Sequence, residues 1–207
     1  MNKLSLFWPV TPATINQPWG VNGDYYQKNG INILGHNGID FRTDHGQPIY
    51  ATHDGYAYFE TDMNQGEGVV IVSDQMFDLP NGTSSFIKTI YWHMCDAANE
   101  PLFASPITVT NIQGQGQRVK AGDVIGYADN TGFSTGDHLH FGLKPCLKGE
   151  DGSYYNPLQT NGYFGCIDPT PFFNGFYGSQ ANQVLDNLKG QVTILQKVVD
   201  LFKGFFK

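Results

Sequence analysis

The sequence predicts an all-β fold, an antiparallel sheet of sandwich or barrel-like form followed by a C-terminal amphipathic helix. Three observations carry this. Short runs rich in β-branched and aromatic residues alternate with turn residues from position 35 to 143. Composition agrees, with 15 Phe, 11 Tyr and 3 Trp beside 25 Gly, a mixture suited to strands joined by tight turns. No long segment of 3.6-residue apolar period interrupts the runs.

In chain order the strand candidates are "GIDFRT", "QPIYAT", "GYAYFET", "GVVIVSD", "SFIKTIYWHM", "ITVT", "DVIGYA" and "HLHFGL". Each is short and bounded by Gly, Asn, Asp or Thr, as strands of a hairpin-rich sheet are. In "KAGDVIGYADNTG" a Gly-Asp pair and an Asn-Thr-Gly turn bracket one apolar strand. The flanking stretches "QPWGVNGDYYQKNGINIL" and "KPCLKGEDGSYYNPLQTNGYFGCIDPTPFFNG" have loop composition, and aromatic-bearing loops beside a sheet often bind ligands. From 179 onward the pattern changes. Apolar residues at Ala181, Leu185, Leu188, Val192, Leu195, Val199, Phe202 and Phe206 alternate steps of four and three, the signature of an amphipathic helix. The expected organisation is a β domain over 1–178 and a helical segment over 179–207 for assembly or tethering. Coiled-coil pairing with itself or another component of an assembly, packing on its own domain and contact with a membrane are the fates open to that segment. Gly190 and Gly204 weaken a zipper, and the closing "LFKGFFK" resembles an interfacial membrane segment.

A chain of 207 residues can build one well-buried core. Its formal charge of -7, from 12 basic and 19 acidic residues, leaves no electrostatic footprint for nucleic acid. "MNKLSLFWPVTP" lacks the apolar core and cleavage site of a signal peptide, and no run reaches the ~18 apolar residues of a membrane span. A soluble chain is expected. Cys95, Cys146 and Cys166 form no CxxC pair; Cys146 and Cys166 could be bridged, but reduced thiols are the expectation for a chain read as having no secretory signal.

The chemistry gathers in two places. In "GDHLHFGL", His138 and His140 stand two apart, so on a strand they share one face while Leu139 and Phe141 take the other. In "GHNGIDF", His36 and Asp40 stand four apart. Fully extended, four residues span about 13 Å, too far for one ion unless the chain turns at Asn37-Gly38, which the glycine permits. His36, Asp40 and one histidine of the pair supply two nitrogens and an oxygen, a donor set suited to a catalytic zinc with its fourth position left for water. The remaining imidazole then has the chemistry of a general base or a transition-state stabiliser.

These motifs resemble those of the lysostaphin and LytM-type zinc endopeptidases, which cut peptidoglycan cross-bridges. "GHNGIDF" matches that family's HxxxD element, "IYWHM" its single-histidine strand, and "RVKAGDVIGYADNTGFSTGDHLHFGL" the segment ending in HxH, while "IDPTPFF" is similar to the stretch that closes the domain. The resemblance implies Zn2+ as cofactor, His36, Asp40 and His140 as its ligands, and His93 and His138 as unligated catalytic histidines. It also implies an upstream tyrosine near the scissile group, for which Tyr25 and Tyr26 are candidates. The implied function is a zinc-dependent endopeptidase acting on bacterial peptidoglycan peptides; with no signal peptide read in the sequence, the expected delivery is by a phage virion, with the helical segment joining a particle component, or by release to the wall through lysis machinery. Family members that lose ligands serve as regulators, so a catalytically idle wall-binding, hydrolase-activating or structural phage module is the competing reading. His45 and His53 lie outside the motifs and are expected to be structural or solvent-facing, Asp137 to be a turn residue, and Trp92 to belong to the core.

Overall fold

Alternation along the strands sends successive side chains to opposite faces of a sheet whose central strands are buried on both sides, and the computed structural model describes residues 2–110, 116–150 and 152–173. In chain order the elements are β1 (Ile15–Gln17), α1 (Gly23–Lys28), β2 (Ile39–Arg42), β3 (Pro48–Tyr50), β4 (Gly55–Asp62), β5 (Gly66–Ser73), β6 (Phe77–Asp78), β7 (Ser84–Met94), β8 (Gln117–Val119), β9 (Val124–Tyr127), β10 (His138–Lys148) and β11 (Tyr154–Tyr155). A nine-stranded sheet runs β1-β2-β10-β7-β5-β4-β8, with β11 beside β10 and β6 beside β7. A separate two-stranded sheet pairs β3 with β9. All these strand pairs are antiparallel, as expected for an all-β domain.

Ile39 and Phe41 of β2, Val69 and Ile71 of β5, Tyr91 of β7, and Leu139, Phe141 and Leu143 of β10 all point to one side of the large sheet and are fully buried. Ile49, Ala51 and Ile125 of the small-sheet layer cover them, together with Leu4, Leu6 and Val10 of the N-terminal segment and Phe172 and Phe173 of the closing segment. Each large apolar side chain so buried contributes roughly 1.5–3 kcal/mol. Ring contacts link Phe41, Phe141 and Phe173, and Trp8 stacks on Phe173 at 4.5 Å. The other face carries a smaller apolar cluster, Tyr58, Val70, Val72, Ile90 and Cys146, with Trp92 packed against it. Trp92 is therefore half-buried on this face and takes no part in the main core.

Several local expectations differ from the structure. "ITVT" forms no strand: residues 107–110 run beside β4, where Val109 accepts one backbone bond from Phe59 and Ile107 enters the core. The glycine-rich stretch before residue 35 holds β1's last residue and α1, a helix of six residues with Asp24 in its first turn and Lys28 in its last, where both charges suit the helix dipole. Cys95, Cys146 and Cys166 are buried free thiols. The amphipathic segment 179–207 lies outside the described residues.

His53 is fully enclosed, with Nδ1 2.8 Å from the Asp54 carbonyl and Nε2 2.8 Å from Thr89 Oγ1. Burial, only partly offset by the Asp54 carbonyl, lowers its pKa from 6.5 to about 4. A depressed histidine stabilises the fold fully above its unfolded pKa, and that contribution is lost as pH falls, because the unfolded chain takes up a proton that the folded ring refuses. Between about pH 6.5 and 4 the protein is therefore expected to lose about 3 kcal/mol through this one group. Denaturant unfolding across that range should show a shallower pH dependence in His53→Gln; an identical slope in both proteins contradicts the assignment.

Candidate metal centre

Antiparallel pairing places His140 of β10 directly opposite Asp40 of β2, and His138 opposite Arg42. Since Ile39, Phe41, Leu139 and Phe141 face the core, Asp40, His138 and His140 all emerge on the other face. The chain bends at residues 37 and 38, and this brings His36 back over Asp40. Two backbone bonds, His36 N to Val21 O at 2.7 Å and Gly20 N to His36 O at 2.9 Å, fix it there. Gly38 is required by close approach: a Cβ on it would lie 2.5 Å from the Phe141 carbonyl oxygen and 2.7 Å from His140 Cε1.

The outcome is a triangle of donors. His36 Nε2, Asp40 Oδ1 and His140 Nδ1 lie 2.9, 3.0 and 3.1 Å from one another, and all three residues are buried or nearly so. His36 Nδ1 lies 3.2 Å from the Pro18 carbonyl, which can only accept, so the proton of the neutral ring sits on Nδ1 and the Nε2 lone pair faces the other two donors. Lone-pair atoms so close repel unless a cation or proton lies among them. The triangle's edges suit one ion at ordinary zinc–nitrogen and zinc–oxygen lengths of about 2 Å. Burial would push the Asp40 carboxyl up, but hydrogen bonds with His140 and His36 overturn this and hold it far below the usual carboxylate range. Burial lowers the His140 pKa despite the neighbouring Asp40.

His93 reaches this face by a different route. Strict alternation after the inward Tyr91 would send Trp92 outward and His93 into the core. Instead Gly68 and Glu67 of β5 pair with Trp92 and Met94 of β7, leaving His93 as an extra residue with φ 66°. This β-bulge returns Met94 to the core and keeps His93 on the site's side, its ring centroid 4.5 Å from that of His138 and 6.2 Å from that of His140. A non-glycine residue in the left-handed region is uncommon and clusters at functional sites. His93 Nδ1 donates to the Thr131 carbonyl at 2.7 Å, and His138 Nδ1 to the Gly136 carbonyl at 2.8 Å, so each neutral ring keeps its Nε2 as the free acceptor. His138 Nε2 stands 3.8 Å from Asp40 Oδ2. Burial, then the neighbouring His138, brings the His93 pKa down to about 4.

All five residues singled out in the sequence thus meet at one place. Of the two tyrosines, Tyr26 is the one beside it: its ring lies parallel to His36 at 6.0 Å, and its hydroxyl is 2.6 Å from Gln17 Nε2. Burial and the Asp40 charge raise its pKa to about 12. Tyr25 points to solvent. The loops flanking α1 and preceding the closing segment meet through Trp19 and Tyr163, 4.6 Å apart, and Leu34 covers Gly162. His45 is exposed, His53 is buried and Asp137 lies in the bend before β10; none joins the triangle. Thr131, which orients His93, was not singled out in the sequence, and no signal there marks it, since its carbonyl is common to every residue type.

The sequence profile of Peptidase family M23 matches residues 34–157. The glycyl-glycine endopeptidase ALE-1 of Staphylococcus capitis is 31% identical over 161 residues, covering 76% of this chain and 34% of that protein. The chain thus spans about a third of the length of that relative. Lysostaphin from Staphylococcus simulans superposes with a TM-score of 0.53 at 22% identity, over 85% of this chain and 55% of that one. The solution structure of lysostaphin gives 0.51 at 22% identity, over 84% and 55%. At that identity the two superpositions speak for the fold.

Proposed function

The chain belongs to Peptidase family M23, and from that premise we propose that it is a zinc-dependent endopeptidase that hydrolyses the peptide cross-bridges of bacterial peptidoglycan. The observation that carries this reading is the triangle of His36, Asp40 and His140 with two further imidazoles beside it. In the proposal these three residues hold the metal, and a bound zinc would supply Lewis acidity, making water acidic and polarising the scissile carbonyl. His93 and His138 move the protons. With Nδ1 of each ring committed to a carbonyl, Nε2 is the atom that accepts a proton from the attacking water or delivers one to the departing amine. A His93 pKa near 4 keeps that ring neutral, and so able to accept, at physiological pH. Tyr26, protonated up to about pH 12, is a hydrogen-bond donor at the edge of the same site.

The substrate named for the Staphylococcus capitis relative makes oligoglycine bridges the first to test. Purified walls with oligoglycine, direct and other cross-bridges should be digested by zinc-loaded protein and the new amine termini identified by mass spectrometry. New amines within the bridge peptides of at least one wall type are expected. Binding to walls without any new amine contradicts the enzyme and favours an idle binding module.

A further inference from the structure

A second group of metal-binding side chains gathers around His45, in the turn between β2 and β3. His45 Nε2 lies 2.8 Å from Glu100 Oε2, and Nδ1 lies 3.1 Å from Asp129 Oδ1. Cys95, just beyond β7 and 1% exposed, brings its Sγ within 4.8 Å of donor atoms of both His45 and Glu100. Glu100 Oε2 is shut off from solvent and faces the His45 ring at 2.8 Å as an ion pair, without a well-aligned hydrogen bond. An enclosed carboxylate oxygen needs a positive neighbour, and either the protonated His45 ring or a cation bound beside it supplies one.

We infer that His45, Cys95 and Glu100 form a second divalent-cation site of transition-metal type, separate from the His36, Asp40 and His140 triangle. The donors are a sulfur, an imidazole nitrogen and a carboxylate oxygen, a set that suits zinc and disfavours magnesium or calcium. Asp129 takes the supporting role common at such sites: it accepts from His45 Nδ1–H, which leaves Nε2 as ligand. Burial, then the charges of Asp129 and Glu100, push the Cys95 thiol up to about 12. Burial opposes the charged His45 ring, but Glu100 and Asp129 together outweigh it and raise its pKa.

The location gives the ion a positioning task. Asp129 N donates to the His93 carbonyl at 2.9 Å, and His138 N to the Asp129 carbonyl at 3.3 Å. A cation joining the turn at His45 to Cys95 and Glu100, with Asp129 locked behind it, braces the backbone that carries both imidazoles.

Cobalt(II) titration of the full chain tests this, because thiolate-bound cobalt has an intense near-ultraviolet charge-transfer absorption that imidazole and carboxylate ligands lack. The first site has no thiol, so the band reports the second site whether or not the chain is a peptidase. The band should saturate with one cobalt bound per chain at the second site, cobalt taken up by the triangle adding nothing to it. Cys95→Ser should abolish it, Cys146→Ser and Cys166→Ser should leave it, and His45→Gln, at an exposed position, should weaken the titration at least tenfold. Absence of the band at saturating cobalt, its survival in Cys95→Ser, or unchanged affinity in His45→Gln overturns the site.

Discussion

Asp40→Ala and His140→Ala are each expected to lower bound zinc by about one equivalent per chain and to reduce cross-bridge hydrolysis to background. Asp40 Oδ1 is the corner shared by the 3.0 and 3.1 Å edges, so its loss leaves two imidazoles 2.9 Å apart and no charge to balance a dication. Altering a residue that only supports a ligand typically costs 10–100-fold in metal affinity, so removing a ligand is expected to cost more than about 100-fold. The backbone should tolerate both changes, because the strand register rests on Ile39–Phe141 and Phe41–Leu139 on the opposite face. Elemental analysis after dialysis, with circular dichroism to establish the fold, checks the outcome. Full zinc content in either variant contradicts the ligand assignment.

His93→Asn and His138→Ala are expected to behave in the opposite way, keeping zinc and fold while losing about 10²–10⁴ in rate. Asparagine is chosen at 93 because the residue sits at φ 66°, a region that Asn enters more readily than Ala. Neither imidazole belongs to the 3 Å triangle: the nearest, His138 Nε2, is 3.8 Å from Asp40 Oδ2. Metal content separates the two groups of variants before any rate is measured. If His138→Ala loses the metal while His140→Ala keeps it, the roles within the HxH pair are reversed.

How far the site was legible differs residue by residue. His138 and His140 declared themselves through alternation, because Leu139 and Phe141 left no doubt about the buried face. His36 and Asp40 were legible only as a conditional: extended spacing holds them apart, and the bend at 37 and 38 depends on packing against β10, where Gly38 makes room for the His140 ring. His93 could not be found from periodicity at all. Alternation assigns it to the core, and the bulge that redirects it is set by pairing with Gly68 and Glu67, some 25 residues earlier in the chain. Resemblance identified it where local reasoning could not. The same limit explains α1, too short at six residues for a 3.6-residue period to show, and "ITVT", whose β-branched residues lie beside β4 without a ladder. The group at His45 escaped because its members come from four separate segments, at 45, 95, 100 and 129, each bland in isolation.

The central claim, that a metal held by His36, Asp40 and His140 drives hydrolysis of wall cross-bridges, is tested most directly by removing that metal. Protein stripped with a chelator and freed of it by dialysis should release no new amine termini from susceptible walls, and adding zinc back should restore the original rate. Undiminished cleavage by the metal-free protein, or no cleavage of any wall type after zinc is restored, would contradict it.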